Sequence, residues 1–226
     1  MSKIKIVHLA DIHIVNEPFE HKKYRDIFDK LYQELKKIKP TKIVLVGDTL
    51  NSFITTSLEA ETLAAELLSN LSKLTDNVVV TIGNHEIRKK DLKRKTSIGS
   101  IIEIMKNPKI TLFDKSGFFD DKTEDIVWVN YSHLQKDIVP WKDIQHTKDK
   151  NKTYIGLFHD PVNGCKLPNG QSMQAKNLIK MSDFDNNDIN MFGDIHLRQF
   201  FEKEIELEID ETDLTDYLND GWEIKE

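Results

Sequence analysis

Residues 42–48 read Lys42-Ile43-Val44-Leu45-Val46-Gly47-Asp48, an apolar run that stops at a glycine and a carboxylate. No polar residue alternates inside it, which is the pattern of a strand covered on both faces. Upstream, Lys3–Ala10 is a second such run and ends in Asp11; downstream, Asn77–Ile82 ends in Gly83-Asn84-His85. Between the first two runs, Tyr24, Ile27, Phe28, Leu31, Leu35 and Ile38 recur at spacings of three and four, one face of a helix closed by Pro40. Between the second and third, Leu63, Leu67, Leu68, Leu71 and Leu74 do the same over Leu58–Leu74. The order is βαβαβ, which implies parallel strands and right-handed crossovers. The fold class is α/β.

Outward from this opening, a helix is predicted near Ile98–Met105, stopped by Pro108. Strands are predicted at Lys109–Phe113, Asp125–Tyr131, Thr153–Phe158 and Ile189–Phe192, and a short helix from Met173 to Met181. Short polar turns separate some of the later strands, so the second half is expected to be more antiparallel. Strict alternation over Glu204–Asp210 predicts a strand with one wet face, followed by a short helix up to Gly221.

Composition narrows the function classes. The 226 residues are 38% hydrophobic and 31% charged, an ordinary globular balance. No stretch approaches the ~18 apolar residues of a membrane span, and the N-terminal apolar run is too short for a signal peptide. Cys165 is the sole cysteine, which excludes an intramolecular disulfide and a cysteine zinc site. The chain reads as cytoplasmic, with no membrane partner. The net charge of −6 hides two parts. Residues 202–226 carry eleven acidic and two basic side chains; the remainder carries 27 acidic and 30 basic. The densest basic stretch is Arg88, Lys89, Lys90, Lys93, Arg94 and Lys95. It suits a polyanionic partner, or simply a solvated turn.

Side chains able to bind metal recur where the apolar runs stop: Asp11 and His13, Asp48, Asn84 and His85, His159, Asp194 and His196. Ligands of open α/β sheets bind at the carboxyl ends of strands, so these segments can converge on one site. Oxygen and imidazole donors without thiolate suit Mn²⁺, Fe²⁺ or Zn²⁺. Gly47, Gly83 and Gly193 precede three of the clusters and permit tight turns there. Singly, Asp-x-His or Gly-Asp is a common accident; the ordered set is not.

That set is Ala10-Asp11-Ile12-His13, Val46-Gly47-Asp48, Ile82-Gly83-Asn84-His85-Glu86, Leu157-Phe158-His159 and Phe192-Gly193-Asp194-Ile195-His196. It resembles the calcineurin-like metallophosphoesterases, and among them the SbcD-type DNA repair nucleases and phage recombination endonuclease subunits. The resemblance implies a four-layer α/β/β/α sandwich of two mixed sheets. It implies two divalent metal ions, foremost Mn²⁺, with Mg²⁺, Fe²⁺ and Zn²⁺ as alternatives. Asp11, His13, Asp48 and His196 would hold one ion; Asp48, Asn84, His159 and Asp194 would hold the other. A bridging hydroxide would be the nucleophile and His85 the general acid, since two close metal ions acidify water and an imidazole titrates near neutrality. Glu86 would orient His85, or is an exposed loop acid. The substrate would be DNA in recombination or repair, in a bacterial cell or phage-infected host, gripped by Arg88, Lys89, Lys90, Lys93 and Arg94. An SMC-like ATPase of the SbcC type and a second copy of the chain are the implied protein partners.

Two departures stand out. The family's last motif is Gly-His-x-His; here it is Gly-Asp-Ile-His at 193–196, and the added carboxylate favours harder ions. SbcD-type chains also continue well past that motif, whereas this sequence ends 30 residues after His196. It therefore reads as a core over 1–201 with an acidic strand-helix tail over 202–226 and no capping domain evident. Two other readings stay open: a phosphatase or small-molecule phosphodiesterase, and a catalytically silent binding subunit. Among remaining histidines, His133 is a candidate substrate contact.

Overall fold

A computed structural model describes residues 4–52, 56–88, 90–167, 169–173 and 179–195. In chain order the elements are β1 (Ile6–Leu9), α1 (His21–Ile38), β2 (Lys42–Val46), α2 (Leu58–Ser72), β3 (Asn77–Thr81), α3 (Ser97–Met105), β4 (Ile110–Phe113), β5 (Gly117–Asp120), β6 (Ile126–Tyr131), α4 (Pro140–Asp143), β7 (Thr153–His159) and β8 (Ile189–Gly193).

The strands form two four-stranded sheets, β1-β2-β3-β4 and β5-β6-β7-β8. The first is parallel throughout, as the βαβαβ pattern requires. The second is mixed. Only β5 and β6 pair antiparallel; β6, β7 and β8 are parallel. The expected antiparallel second half is thus limited to one hairpin. Parallel neighbours need a crossover of a dozen or more residues, and the connections 132–152 and 160–188 are long enough. Among the described residues these crossovers hold only short turns of helix, so no helical periodicity announced them. Of the predicted Met173–Met181 helix, 174–178 lie outside the described residues; Met181–Phe184 is a 3-10 turn. The predicted strand and helix of 202–226 also lie outside.

Layering follows from which face each strand residue presents. Ile43, Leu45, Val78 and Val80 face outward against Leu63, Leu67, Leu68 and Ile98 of the helices. Val44, Val46 and Val79 face inward and meet Ile126, Trp128, Ile155 and Leu157 of the second sheet. The outer face of the second sheet packs Val129, Tyr131, Tyr154 and Phe158 against Val162, Cys165 and Phe184. These are helix, sheet, sheet and a thin fourth layer of short helical turns, the four-layer sandwich that the resemblance implied, with the first sheet parallel rather than mixed because each of its strands is joined to the next by a helical crossover. Each large apolar side chain buried this way contributes roughly 1.5–3 kcal/mol.

Local signals set the helix ends. Lys39 takes a left-handed φ of 52° and its N–H closes on Leu35 O, after which Pro40 stops α1. Ser57 caps α2 by accepting from Ala60 N–H at 3.2 Å. The same Ser57 donates its N–H to Asn16 Oδ1 at 2.8 Å and so ties the loop after β1 to the start of α2. The end of the sandwich away from that loop closes on a buried ion pair. Lys42 Nζ reaches Asp121 Oδ1 and Thr123 Oγ1, each at 2.6 Å.

Candidate metal centre and active site

Two loops running side by side deliver Asp11, His13 and Asp48. Past the ends of β1 and β2 the pairing continues: His13 N–H donates to Asp48 O at 2.9 Å and Ile14 N–H to Thr49 O at 3.0 Å. Tyr24 of α1 adds a hydroxyl bond to His13 O at 2.6 Å. Six non-glycine residues among those described have positive φ. Lys39 and Lys106 cap helices; the other four are Asp11, His13, Asp48 and Asp194. Such backbone costs on the order of 1–3 kcal/mol per residue and persists only where surrounding bonds hold it. Here it concentrates on predicted ligands.

The glycines act through close approach as much as through turning. Only Gly47 of the three has a left-handed φ, 74°. A Cβ on Gly83 would lie 2.1 Å from Asp48 Oδ1, and one on Gly193 would lie 2.2 Å from His159 Nδ1. These positions are glycine because the Asp48 and His159 side chains occupy the space.

Asp48 is the hub. Its Oδ1 accepts the His85 N–H at 2.9 Å. Its Oδ2 faces His159 Nε2 at 3.1 Å, His13 Nε2 at 3.7 Å and His85 Nε2 at 3.9 Å. Asp11 Oδ1 lies 3.8 Å from His13 Nε2 and 3.9 Å from His159 Nε2. The Asp11 carboxylate also accepts the Asp194 N–H at 3.0 Å, which brings β8 to the site. Asn84 Nδ2 donates to Asp194 Oδ2 at 3.4 Å.

Two groups of donors, His13-Asp48-His85 and Asp11-Asp48-His159, each fall within 4.8 Å and share Asp48. Asp48 Oδ2 and His159 Nε2 are buried without a hydrogen bond, a costly state unless another group completes them. Carboxylate and imidazole donors with such open valences fit a hard or borderline divalent ion. His159 Nδ1 is held by Val46 O at 2.5 Å, so Nε2 is the nitrogen offered to the site.

The electrostatics fit a site short of positive charge. Burial raises the Asp48 carboxyl, but His159 and His85 outweigh it and hold it below its ordinary value. Burial lowers His159, but the Asp48 carboxylate outweighs it and lifts the imidazole to about 9. Asp194 is raised by burial and by the nearby carboxylates of Asp160, Asp48 and Asp11.

The other predicted residues fall as follows. His85 is exposed at the rim, and its Nδ1 donates to Asn51 O at 2.6 Å. A carbonyl only accepts, so Nδ1 carries the proton and Nε2 faces the site. Glu86 neither orients the His85 ring nor sits in an exposed loop. It is fully buried, and its carboxylate accepts Thr49 N–H at 2.8 Å and Gly83 N–H at 2.9 Å. That role is a brace between the two loops carrying Asp48 and Asn84, and burial pushes its pKa up to about 6. His133 is 2% exposed and bonds the His159 carbonyl through Nε2, so it lies beneath the site rather than against a substrate. Arg88, Lys90, Lys93 and Arg94 are all exposed. His196 and Lys89 lie outside the described residues. Sequence reasoning missed the Val46 and Asn51 carbonyls that orient two histidines, because a main-chain acceptor leaves no mark on residue type.

Residues 4–198 match the family model of the calcineurin-like phosphoesterases. The chain belongs to that family. Calcineurin-like phosphoesterases bind divalent metal ions, and the donors gathered around Asp48 are where this member could hold them. An uncharacterised protein of Acanthamoeba polyphaga mimivirus is 30% identical over 207 residues, 86% of this chain and 15% of that protein. The DNA double-strand break repair protein Mre11 of Methanopyrus kandleri is 31% identical over 106 residues, 45% of this chain and 23% of that protein. The chain thus spans less than a quarter of either relative. The crystal structure of Pseudomonas putida nuclease MPE aligns with a TM-score of 0.37 at 12% identity, covering 74% of this chain and 66% of that one. Among the described residues, no helix is long and apolar enough to cross a membrane.

Proposed function

We propose that this phosphoesterase is a two-metal nuclease that hydrolyses DNA phosphodiesters in recombination or repair. The observation that carries the proposal is the pair of donor groups sharing Asp48, one of which includes the exposed His85. The similarity to Mre11 supports the choice of DNA over a small ester.

Asp11, Asp48 and His159 would hold one ion, with Asn84 and Asp194 adjoining; His13 and Asp48 would hold the other, with His196 completing it. Bound divalent ions supply positive charge that acidifies water and neutralises phosphate oxygens, and Mn²⁺ suits the carboxylate-rich set. The rest falls to the chain. Asp48 sets the separation of the two halves. His85, fixed at Nδ1 by Asn51 O, presents Nε2 to the scissile group. As imidazolium it can donate the Nε2 proton to a leaving alkoxide and be left neutral. Glu86 holds the Asp48 and Asn84 loops at fixed spacing.

The test is cleavage of end-labelled single- and double-stranded DNA with Mn²⁺, with an aryl phosphodiester in parallel and EDTA and His85→Ala as controls. Metal-dependent cleavage lost in His85→Ala is the expected result. Ester hydrolysis with intact DNA would instead support a small-molecule phosphodiesterase.

A further inference from the structure

A groove of about 610 Å³ opens between the loop that carries Lys93 and Arg94 and the segments around Leu112 and Leu134. One wall is the basic loop that follows His85 and Glu86. Another includes Leu134, the neighbour of His133, whose Nε2 bonds the His159 carbonyl. The groove therefore shares its scaffold with the site. Its lining is amphipathic. Leu92, Ile102, Leu112 and Leu134 contribute apolar surface, and Lys93, Arg94, Lys95 and Lys115 contribute positive charge against Glu103 and Asp114. Lys95 is neutralised by Glu103 at 2.5 Å. Among the described residues no ion pair engages Lys93, Arg94 or Lys115, so the lining keeps net positive charge.

We infer that this groove seats one unpaired nucleotide of the substrate strand, its base on the apolar residues and its phosphate at Lys93, Arg94 and Lys115. The inference rests on the nuclease reading. Its volume lies in the range of pockets that enclose a small ligand, roughly 300–1,000 Å³. A duplex offers phosphates outward and keeps its base faces stacked, so it has nothing to place on an apolar floor. An unstacked base does, because its face leaves water against these aliphatic side chains whichever base it is. The protein would then favour single strands over a fully paired duplex.

The experiment is anisotropy of dye-labelled DNA with the full chain in EDTA, using a short single strand, the matching blunt duplex, and single strands with one abasic position moved along the sequence. The single strand is expected to bind more tightly than the duplex. One abasic position should weaken binding about tenfold, the worth of roughly 50 Å² of buried base face, while the others change little. Lys93→Glu with Lys115→Glu should weaken single-strand binding at least tenfold and lower the salt slope by about 1–2. Leu92→Glu, at a side chain already 43% exposed, gives a second variant should the double one melt early. Single-strand affinity within twofold of wild type in folded variants, or an abasic scan with no preferred position, overturns the groove while leaving the nuclease reading intact. A wild-type protein that hydrolyses the aryl ester in Mn²⁺ yet binds neither DNA overturns the nuclease reading and the groove with it.

Discussion

β2 carries a buried charge at each end, and the two ends of the sandwich treat it in opposite ways. At its start, Lys42 is fully buried between the sheets, paired with an equally buried Asp121. Asp121 accepts in addition Trp128 Nε1 at 3.0 Å and the N–H groups of Thr123 and Glu124 at 3.0 and 3.1 Å. Lys42 and these bonds outweigh the burial that would raise Asp121, and hold its carboxyl below its ordinary value. Just past the other end, Asp48 is equally buried, yet Oδ2 is left without a hydrogen bond amid three histidines. The first end completes every polar group from within the protein. The second leaves valences open, on a backbone held in left-handed conformations. One end of the fold is built for stability, the other for ligands that the chain does not itself contain.

That contrast can be broken by mutation. The largest expected effect is at the site end. His85→Ala should lower phosphodiester hydrolysis by about 10²–10⁴-fold, the usual worth of a positioned proton donor. Its thermal midpoint should barely move, because the side chain is exposed. Metal content measured alongside decides between its two roles: a proton donor leaves two ions per chain, whereas loss of one would make His85 a ligand, as its place beside His13 and Asp48 also permits.

At the opposite end, Lys42→Met should destabilise the fold by about 3–5 kcal/mol, since it strands the Asp121 carboxylate in the interior. Urea denaturation measures it. Activity per folded molecule should stay at the wild-type level; a selective loss of turnover would show that the two ends are not independent.

Glu86→Gln sits between these extremes. The amide can accept from Thr49 or Gly83 but must point its NH₂ at the other N–H, at a cost of about 1–3 kcal/mol. Because Glu86 braces the loops of Asp48 and Asn84, metal affinity should fall with stability. Stability lost with metal affinity intact would reduce Glu86 to a structural residue.

The last effect needs no substitution and is graded with pH. In metal-free protein, His159 has its pKa raised to about 9 from 6.5. A raised histidine contributes stability that is fully present below pH 6.5 and is lost as pH rises through 9. The melting temperature in EDTA should therefore decline across that window. A metal ligand must be neutral imidazole, so ion binding should strengthen over the same range and release protons, measurable by calorimetry in two buffers. A flat profile would mean that the Asp48 carboxylate does not raise His159.

Much of the site was legible because its chemistry is tied to strand ends. Asp11, Asp48, Asn84, His159 and Asp194 each follow an apolar run, and parallel strands bring such ends to one edge. The glycines were legible as residues but not as reasons: Gly83 and Gly193 leave room for Asp48 and His159, a constraint between segments far apart in the chain. Glu86 and His133 were misread because burial decided their roles. A carboxylate that accepts main-chain N–H groups, as Glu86 does from Thr49, Leu50 and Gly83, and one that touches a neighbouring histidine look the same in sequence. β5 was overlooked since Gly117–Asp120 is too short for periodicity to register.

The sequence by itself determined the α/β class, the parallel opening sheet and a set of candidate donors, because hydrophobic period and residue chemistry are local properties. The direction of the second sheet, the sharing of Asp48 between two donor groups, the bracing by Glu86 and the Lys42–Asp121 closure were decided only by the tertiary structure. Each depends on which atoms are excluded from water together, and that is settled when the sheets close on one another.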